Sequence, residues 1–287
     1  MIGRSVVVGV DTSDEARAAA LLGRILAESA GGALHLVAAT THALLDVLGT
    51  RAGVDVERLH EGLISAAAEK VKQRLQDDFS PDELERSLSA RLGRPEHVLA
   101  ECGREHSADL FVVGGRRHRA PAVWIHRGTA HHLLRTTDQT VVIAGPDGPQ
   151  IDRVLVSVDR SDIADRAIEV ALEFSELLGV PIEAIHVVPH PTLPRGLDLG
   201  INTSTWIRQE EDEAHRDLRS RLPAGVDLRV LHGEVEETIR RASEGGPPTL
   251  LVLGAHGKGR VHRMLLGSTT EALLSDPPTS MAIIPTG

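Results

Sequence analysis

The stretch Gly254-Ala255-His256-Gly257-Lys258-Gly259, followed by Gly267-Ser268-Thr269, holds the residues best suited to chemistry in this 287-residue chain. The pattern is G-x-x-G, nine residues, then G-[ST]. Glycines permit positive φ and let backbone N–H groups approach a ligand closely. Ser268 and Thr269 fall at an expected helix N-terminus, where unpaired amides and the helix dipole favour an anion. Two such elements facing each other can cradle a polyphosphate. Asp159, at the end of the apolar run RVLVSV, adds a carboxylate that could accept hydrogen bonds from a ribose or a base. The plainer reading is that these glycines only make a tight β–α connection.

A second, altered copy of these residues lies earlier in the chain. Asp11, Gly114, Gly128 and Thr129 are in place, but Arg117 stands where the second loop glycine should be. The spacing from Gly114 to Gly128 is also one residue longer than that from Gly254 to Gly267. A side chain at a position wanting close backbone approach would block phosphates. Alternatively, Arg116 and Arg117 would replace amides with guanidinium contacts.

The elements that must hold these residues repeat as well. SVVVGVD at 5–11 answers RVLVSVD at 153–159, and DLFVVGG at 109–115 answers TLLVLGA at 249–255. TVVIAGP at 140–146 answers SMAIIPTG at 280–287. Two tandem domains follow, 1–146 and 151–287, joined near Gly145-Pro146-Asp147-Gly148-Pro149, which can continue neither strand nor helix. In the second copy, Ile163, Ala167, Val170, Ala171, Phe174, Leu177 and Leu178 recur at helical spacing. Strands are expected at 153–158, 182–188, 226–231, 249–253 and 280–285, with further helices over about 204–221, 234–244 and 268–275. The first copy is expected to repeat that order from Val6 to Ile143. Short apolar strands alternating with amphipathic helices imply an α/β fold, each domain a doubly wound, five-stranded parallel sheet with helices on both faces. A ligand then belongs beyond the carboxyl ends of the strands, on the loops after strands one and four.

Composition narrows the function. Thirty-one Lys and Arg against 41 Asp and Glu give a formal charge of −10, which argues against a nucleic-acid partner. Aromatic residues are only 2%, with no Tyr, so base-stacking and sugar-binding platforms are disfavoured. No apolar run is long enough to cross a bilayer, and the first residues lack the apolar core of a signal peptide. The lone Cys102 excludes an internal disulfide, reads as a buried, inert thiol, and points to a cytoplasmic setting. His126, His131 and His132 lack the acid of a zincin arrangement, so no metal site is expected there. Trp124 and Trp206 read as cover for a sheet edge, and the run Gln209 to Glu213 as a solvated helix face. No Walker A, kinase-type or G-x-S-x-G nucleophile motif is present, so no catalytic residue is assigned.

The VxVD strand end, AIHVVP at 184–189 and LGAHGKGRVHRMLLGST at 253–269 resemble the universal stress protein family, here as a tandem pair covering essentially the whole chain. The resemblance implies an adenine nucleotide alpha hydrolase-like fold and ATP, accompanied by Mg²⁺, as the ligand. It places Asp159 at the ribose and adenine end, Val187 against the base, and Gly254, Gly257, Gly267, Ser268 and Thr269 around ribose and phosphates. Asp11, Gly114, Gly128 and Thr129 are the matching positions of the degenerate first copy. Since the family's domains commonly dimerise through the last strand, it also implies an internal pseudo-dimer of the two domains, or a homodimer. The function implied is a regulatory, stress-response nucleotide-binding module with at most slow ATP hydrolysis. An ATP-consuming enzyme of the same α/β class and a nucleotide-free dimeric scaffold are the alternatives.

Overall fold

Val6, Val7 and Val8 are fully buried, as are Val154, Leu155 and Val156, so both strands are apolar on both faces and must be covered on both. The computed structural model describes residues 2–41, 56–115, 128–161, 163–189, 203–256 and 266–285, with side chains from 207 onward in the helix that begins at 203. The chain divides into two units, 1–150 and 151–287.

In the first unit the order is β1 (Ser5–Val10), α1 (Asp14–Ser29), β2 (Ala33–Thr40), α2 (Val56–Leu75), α3 (Pro81–Ser87), β3 (Leu88–Leu92), α4 (Pro95–Glu105), β4 (Leu110–Gly114), α5 (Thr129–Thr136) and β5 (Thr140–Ala144). Its strands lie in the order β3-β2-β1-β4-β5, all parallel. The second unit runs β6 (Arg153–Ser157), α6 (Ile163–Leu178), β7 (Ile182–Val188), α7 (Thr203–Arg221), β8 (Asp227–His232), α8 (Val235–Glu244), β9 (Thr249–Gly254), α9 (Ser268–Ser275) and β10 (Ser280–Ile284). Its order is β8-β7-β6-β9-β10, again all parallel. Each unit is thus the doubly wound sheet expected from the sequence. The winding reverses between β1 and β4 in one unit and between β6 and β9 in the other.

The first unit departs from a simple repeat at α3, which has no expected counterpart. Ser80 caps it: its Oγ accepts from the Glu83 amide, the Glu83 carboxylate accepts from the Ser80 amide, and Pro81 opens the first turn. With almost no aromatic residues, the core is built by close approach of small side chains. Ala16, Ala19, Ala20 and Gly23 lie on the buried face of α1, and a Cβ on Gly23 would sit 2.4 Å from Val8 Cγ2. All three phenylalanines, Phe79, Phe111 and Phe174, are buried.

The amino ends of the strands are closed by single charged side chains. The Asp109 carboxylate accepts from the amides of Gly3 and Arg4 at 2.9 Å and of Ser5 at 3.3 Å. In the second unit, Arg153 donates to Thr249 Oγ1 at 2.7 Å and to the Ala242 carbonyl at 2.8 Å. Burial pushes the Arg153 pKa down, partly offset by Glu183.

Candidate functional site

Asp159 follows β6, Gly254 ends β9, and Gly267 is the N-cap of α9, so three of the expected positions meet at the carboxyl ends of adjacent strands. Two hydrogen bonds tie the glycine loop to the helix. The Gly267 amide donates to the Ala255 carbonyl at 2.8 Å, and Thr270 Oγ1 donates to the Gly254 carbonyl at 3.0 Å. The Ala255 amide in turn donates to the Ile284 carbonyl at 2.8 Å, which anchors the loop to β10. The N-cap Gly267 has no side chain with which to cap the first turn of α9, whereas Ser13 caps α1 through the Ala16 amide. Ser268 is exposed and Thr269 half-buried in that turn. The first amides of α9 and the positive end of its dipole are thereby held at the carboxyl edge of the sheet, the kind of place where an anion is bound by amides.

Gly254 and Gly114 act through space rather than handedness. Neither Gly254 nor Gly114 has positive φ, and the N-caps Gly267 and Gly128 are extended, with φ of −61° and −62°. The one position expected to demand positive φ, that of Gly257 and Arg117, lies outside the described residues. A Cβ on Gly254 would sit 2.9 Å from Ile163 Cγ2, and one on Gly114 would sit 2.7 Å from the carbonyl carbon and oxygen of Glu15. Both glycines exist because the first helix of their unit starts against the end of the fourth strand. Among the described residues, a Cβ at Gly128 would meet nothing within 4 Å.

The two aspartates have a local task. Asp159 Oδ1 accepts from the Ser161 amide at 3.0 Å and also from the Ser161 hydroxyl. Asp11 Oδ1 accepts from the Ser13 amide at 2.8 Å and from the Ser13 hydroxyl in the same way. Each carboxylate closes the turn that launches the next helix, as Asx side chains do.

Val187 lies near the end of β7, opposite Leu231 of β8, and is 7% exposed. Its neighbour His186 is half-buried, with Nδ1 at 2.8 Å from the Val158 carbonyl. Pairing of Val8 with Leu36 and of Val156 with Ala184 puts Ala38 and Ala39 of the first unit where the second has His186 and Val187. His131 likewise stands where Thr270 would be, counting from the N-caps Gly128 and Gly267. The first unit therefore departs from the second at more places than its loop.

Charged groups surround the second site in pairs. Arg221 of α7 donates to the Ser161 carbonyl at 2.8 Å and to Asp165 at 2.7 Å. That hydrogen bond holds the Asp165 carboxyl below its usual range and raises the Arg221 pKa. Arg160 pairs with Glu210 at 3.4 Å and Glu213 at 3.7 Å, and Glu211 lies 2.6 Å from His232. The acidic run of α7 is thus engaged with neighbours, not simply solvated. In the first unit, Arg17 grips Asp78 with two bonds of 2.5 and 2.7 Å, and Arg74 pairs with Asp14.

Other expectations fall out as follows. Cys102 is buried, and burial pushes its thiol pKa up. His132 packs edge-on to His97 with ring centroids 5.2 Å apart. Among the described residues no group of three or more His, Cys, Asp or Glu could hold a metal ion. Arg116, Arg117, Trp124, His126 and the Trp206 side chain lie outside the described residues. A groove of about 310 Å³ near Arg24, Phe79 and Arg86 lies at the amino ends of β2 and β3, opposite the glycine loops. Its Arg24 is already placed over the Phe79 ring and bonded to the Asp78 carbonyl at 2.6 Å.

The fold defines a tandem protein of two doubly wound α/β units, each with a glycine at the end of its fourth strand and a glycine N-cap on its last helix. The family model of the universal stress protein family matches residues 3–145 and again 150–285, and the chain belongs to that family. A universal stress protein of Mycolicibacterium smegmatis is 28% identical over 192 residues, 62% of this chain and 62% of that protein. Universal stress protein Rv2005c of Mycobacterium tuberculosis is 28% identical over 195 residues, 63% of this chain and 62% of its own length. The chain thus spans about 62% of these two curated relatives. A universal stress protein from Archaeoglobus fulgidus has a solved structure that covers all of both chains with a TM-score of 0.59 at 18% identity, a likeness of fold.

Proposed function

We propose that the second unit binds an adenine nucleotide, ATP with Mg²⁺, and that the chain acts as a regulatory, nucleotide-binding stress protein rather than a dedicated enzyme. The observation carrying this reading is the first turn of α9, which opens on Gly267 and is tied through Gly267 and Thr270 to the residues after β9, with Asp159 following the adjacent strand β6. In this reading Asp159 faces the ribose and adenine end and Val187 the base. Gly254, Gly257, Gly267, Ser268 and Thr269 surround ribose and phosphates. Mg²⁺ arrives on the triphosphate and keeps several of its waters.

The first unit is the weaker or empty site. Arg117 replaces the loop glycine, Ala39 replaces Val187 and His131 replaces Thr270, while Asp11, Gly114, Gly128 and Thr129 retain the outline. Slow ATP hydrolysis is the most the chain's own groups would support. No helix among the described residues is long and apolar enough to cross a membrane. A cytoplasmic location, and pairing through last strands within or between chains, belong to the same proposal.

Nucleotide content of the purified protein, followed by titration calorimetry with ATP and Mg²⁺, tests the reading. Binding at micromolar to millimolar dissociation constants supports it. An absence of both bound nucleotide and heat overturns it.

A further inference from the structure

We infer that His186 is a positioning residue for the second unit's site, fixing the end of β6 so that Asp159 is presented in one orientation; this rests on the nucleotide-binding reading above. In the first unit the ladder between the first two strands extends to Val10 paired with Ala38. In the second it stops one step earlier, at Ser157 paired with Ile185, and β6 is one residue shorter than β1. The Val158 amide still donates to the Ile185 carbonyl at 2.9 Å. The Val158 carbonyl is met by a side chain, His186 Nδ1 at 2.8 Å.

A carbonyl oxygen only accepts, so Nδ1 carries the proton, and the tautomer of the neutral ring is fixed. The Val158 carbonyl shares a rigid peptide plane with the Asp159 amide. Holding that oxygen therefore fixes the plane from which Asp159 departs. The far side of Asp159 is fixed by Ser161, whose amide and hydroxyl both donate to Oδ1. His186, the Val158 carbonyl, Asp159 and Ser161 form one chain of constraints across the switch point. Ala38 cannot supply the donor in the first unit, the same unit in which Ala39 and Arg117 depart from the pattern. The unit with the intact loop is the unit with the histidine.

The test uses the full chain with His186→Ala and His186→Asn, since the Asn amide nitrogen can occupy the place of Nδ1. Two readouts are taken: ATP affinity by calorimetry, and hydrogen exchange of peptides spanning 157–161 without ligand. His186→Ala should weaken ATP binding about tenfold and speed exchange at Asp159 and Ser161 by a similar factor, while His186→Asn restores both. In an Asp159→Asn background, His186→Ala should cause little further loss of affinity. Wild-type affinity and exchange in His186→Ala would overturn the inference, as would a His186→Asn as impaired as the alanine variant. If the unaltered chain binds no ATP, the functional reading fails, and the exchange measurement still decides whether His186 orders the loop.

Discussion

Thr270 Oγ1 donates to the carbonyl of Gly254 at 3.0 Å from a side chain that is buried in the first turn of α9. The hydroxyl that fixes the glycine loop thus sits one position beyond the Gly267-Ser268-Thr269 run. Replacing it by Val keeps the shape and leaves the carbonyl unpaired, a change that costs about 1–3 kcal/mol. We expect Thr270→Val to lower the unfolding free energy from urea denaturation by that amount and weaken ATP binding, with Thr270→Ser close to wild type in both.

Gly114 and Gly254 should differ in their tolerance of a methyl group. At Gly114 the added carbon meets the backbone of Glu15, which cannot rotate away, whereas at Gly254 its nearest neighbour is the Ile163 side chain. Both alanine variants should be destabilised, Gly114→Ala toward the upper end of about 1–3 kcal/mol and Gly254→Ala toward the lower. Thermal unfolding of the two variants gives the order directly.

Asp159 combines a local bond with a proposed ligand contact, and the two can be separated. Asp159→Asn keeps an oxygen for the Ser161 amide but loses the charge, while Asp159→Ala loses both. Native mass spectrometry with ATP should show one strongly bound nucleotide in wild type and in Asp11→Ala, and reduced occupancy in Asp159→Asn. In Asp159→Ala that nucleotide should be absent. Two equally occupied nucleotides per wild-type chain would show that the first site is intact.

Acid should loosen both units through specific carboxylates. The bond from Arg17 holds the Asp78 carboxyl below its usual range, as Arg221 does for Asp165. A carboxylate with a depressed folded pKa stabilises the fold above its unfolded value of about 3.9, and that contribution disappears as pH falls through the lower folded value. Between pH 5 and 7 these two groups should leave stability level, with the decline beginning below about pH 4. Chemical denaturation of Asp78→Asn across this range should show lower stability at neutral pH and a shallower acid decline.

Cys102 should be silent toward thiol reagents in the native state. It is 1% exposed, and burial raises its pKa, both of which suppress the reactive thiolate. Ellman's reagent should release close to zero equivalents from the folded chain and one from the denatured chain.

Most of the fold was legible because periodicity reports burial. The helical spacing from Ile163 to Leu178 and the apolar run 182–188 coincide with α6 and β7. Helix α3 escaped because seven residues are too few to show a period, although Ser80-Pro81-Asp82-Glu83 carries a capping signal. The site was legible only where its residues are contiguous. That Gly114 abuts Glu15, or that Arg221 reaches Ser161, depends on contacts between positions 60 or more residues apart, which spacing along the chain does not encode. Nor does sequence separate a glycine required by a left-handed turn from one required by close packing; Gly114 and Gly254, which abut Glu15 and Ile163 without positive φ, are of the second kind.

The strand order has a consequence for synthesis. β1 is central in its sheet, yet its second neighbour, β4, begins at Leu110. A nascent chain therefore carries the edge formed by Val6, Val7 and Val8 unpaired on one side until about a hundred more residues have been made. At about 5–20 residues per second that interval lasts roughly 5–20 s. The situation returns when β6 waits for β9. Translation of this protein thus opens two windows in which a sticky strand edge is bare, and a ribosome-associated holdase would have its work concentrated there.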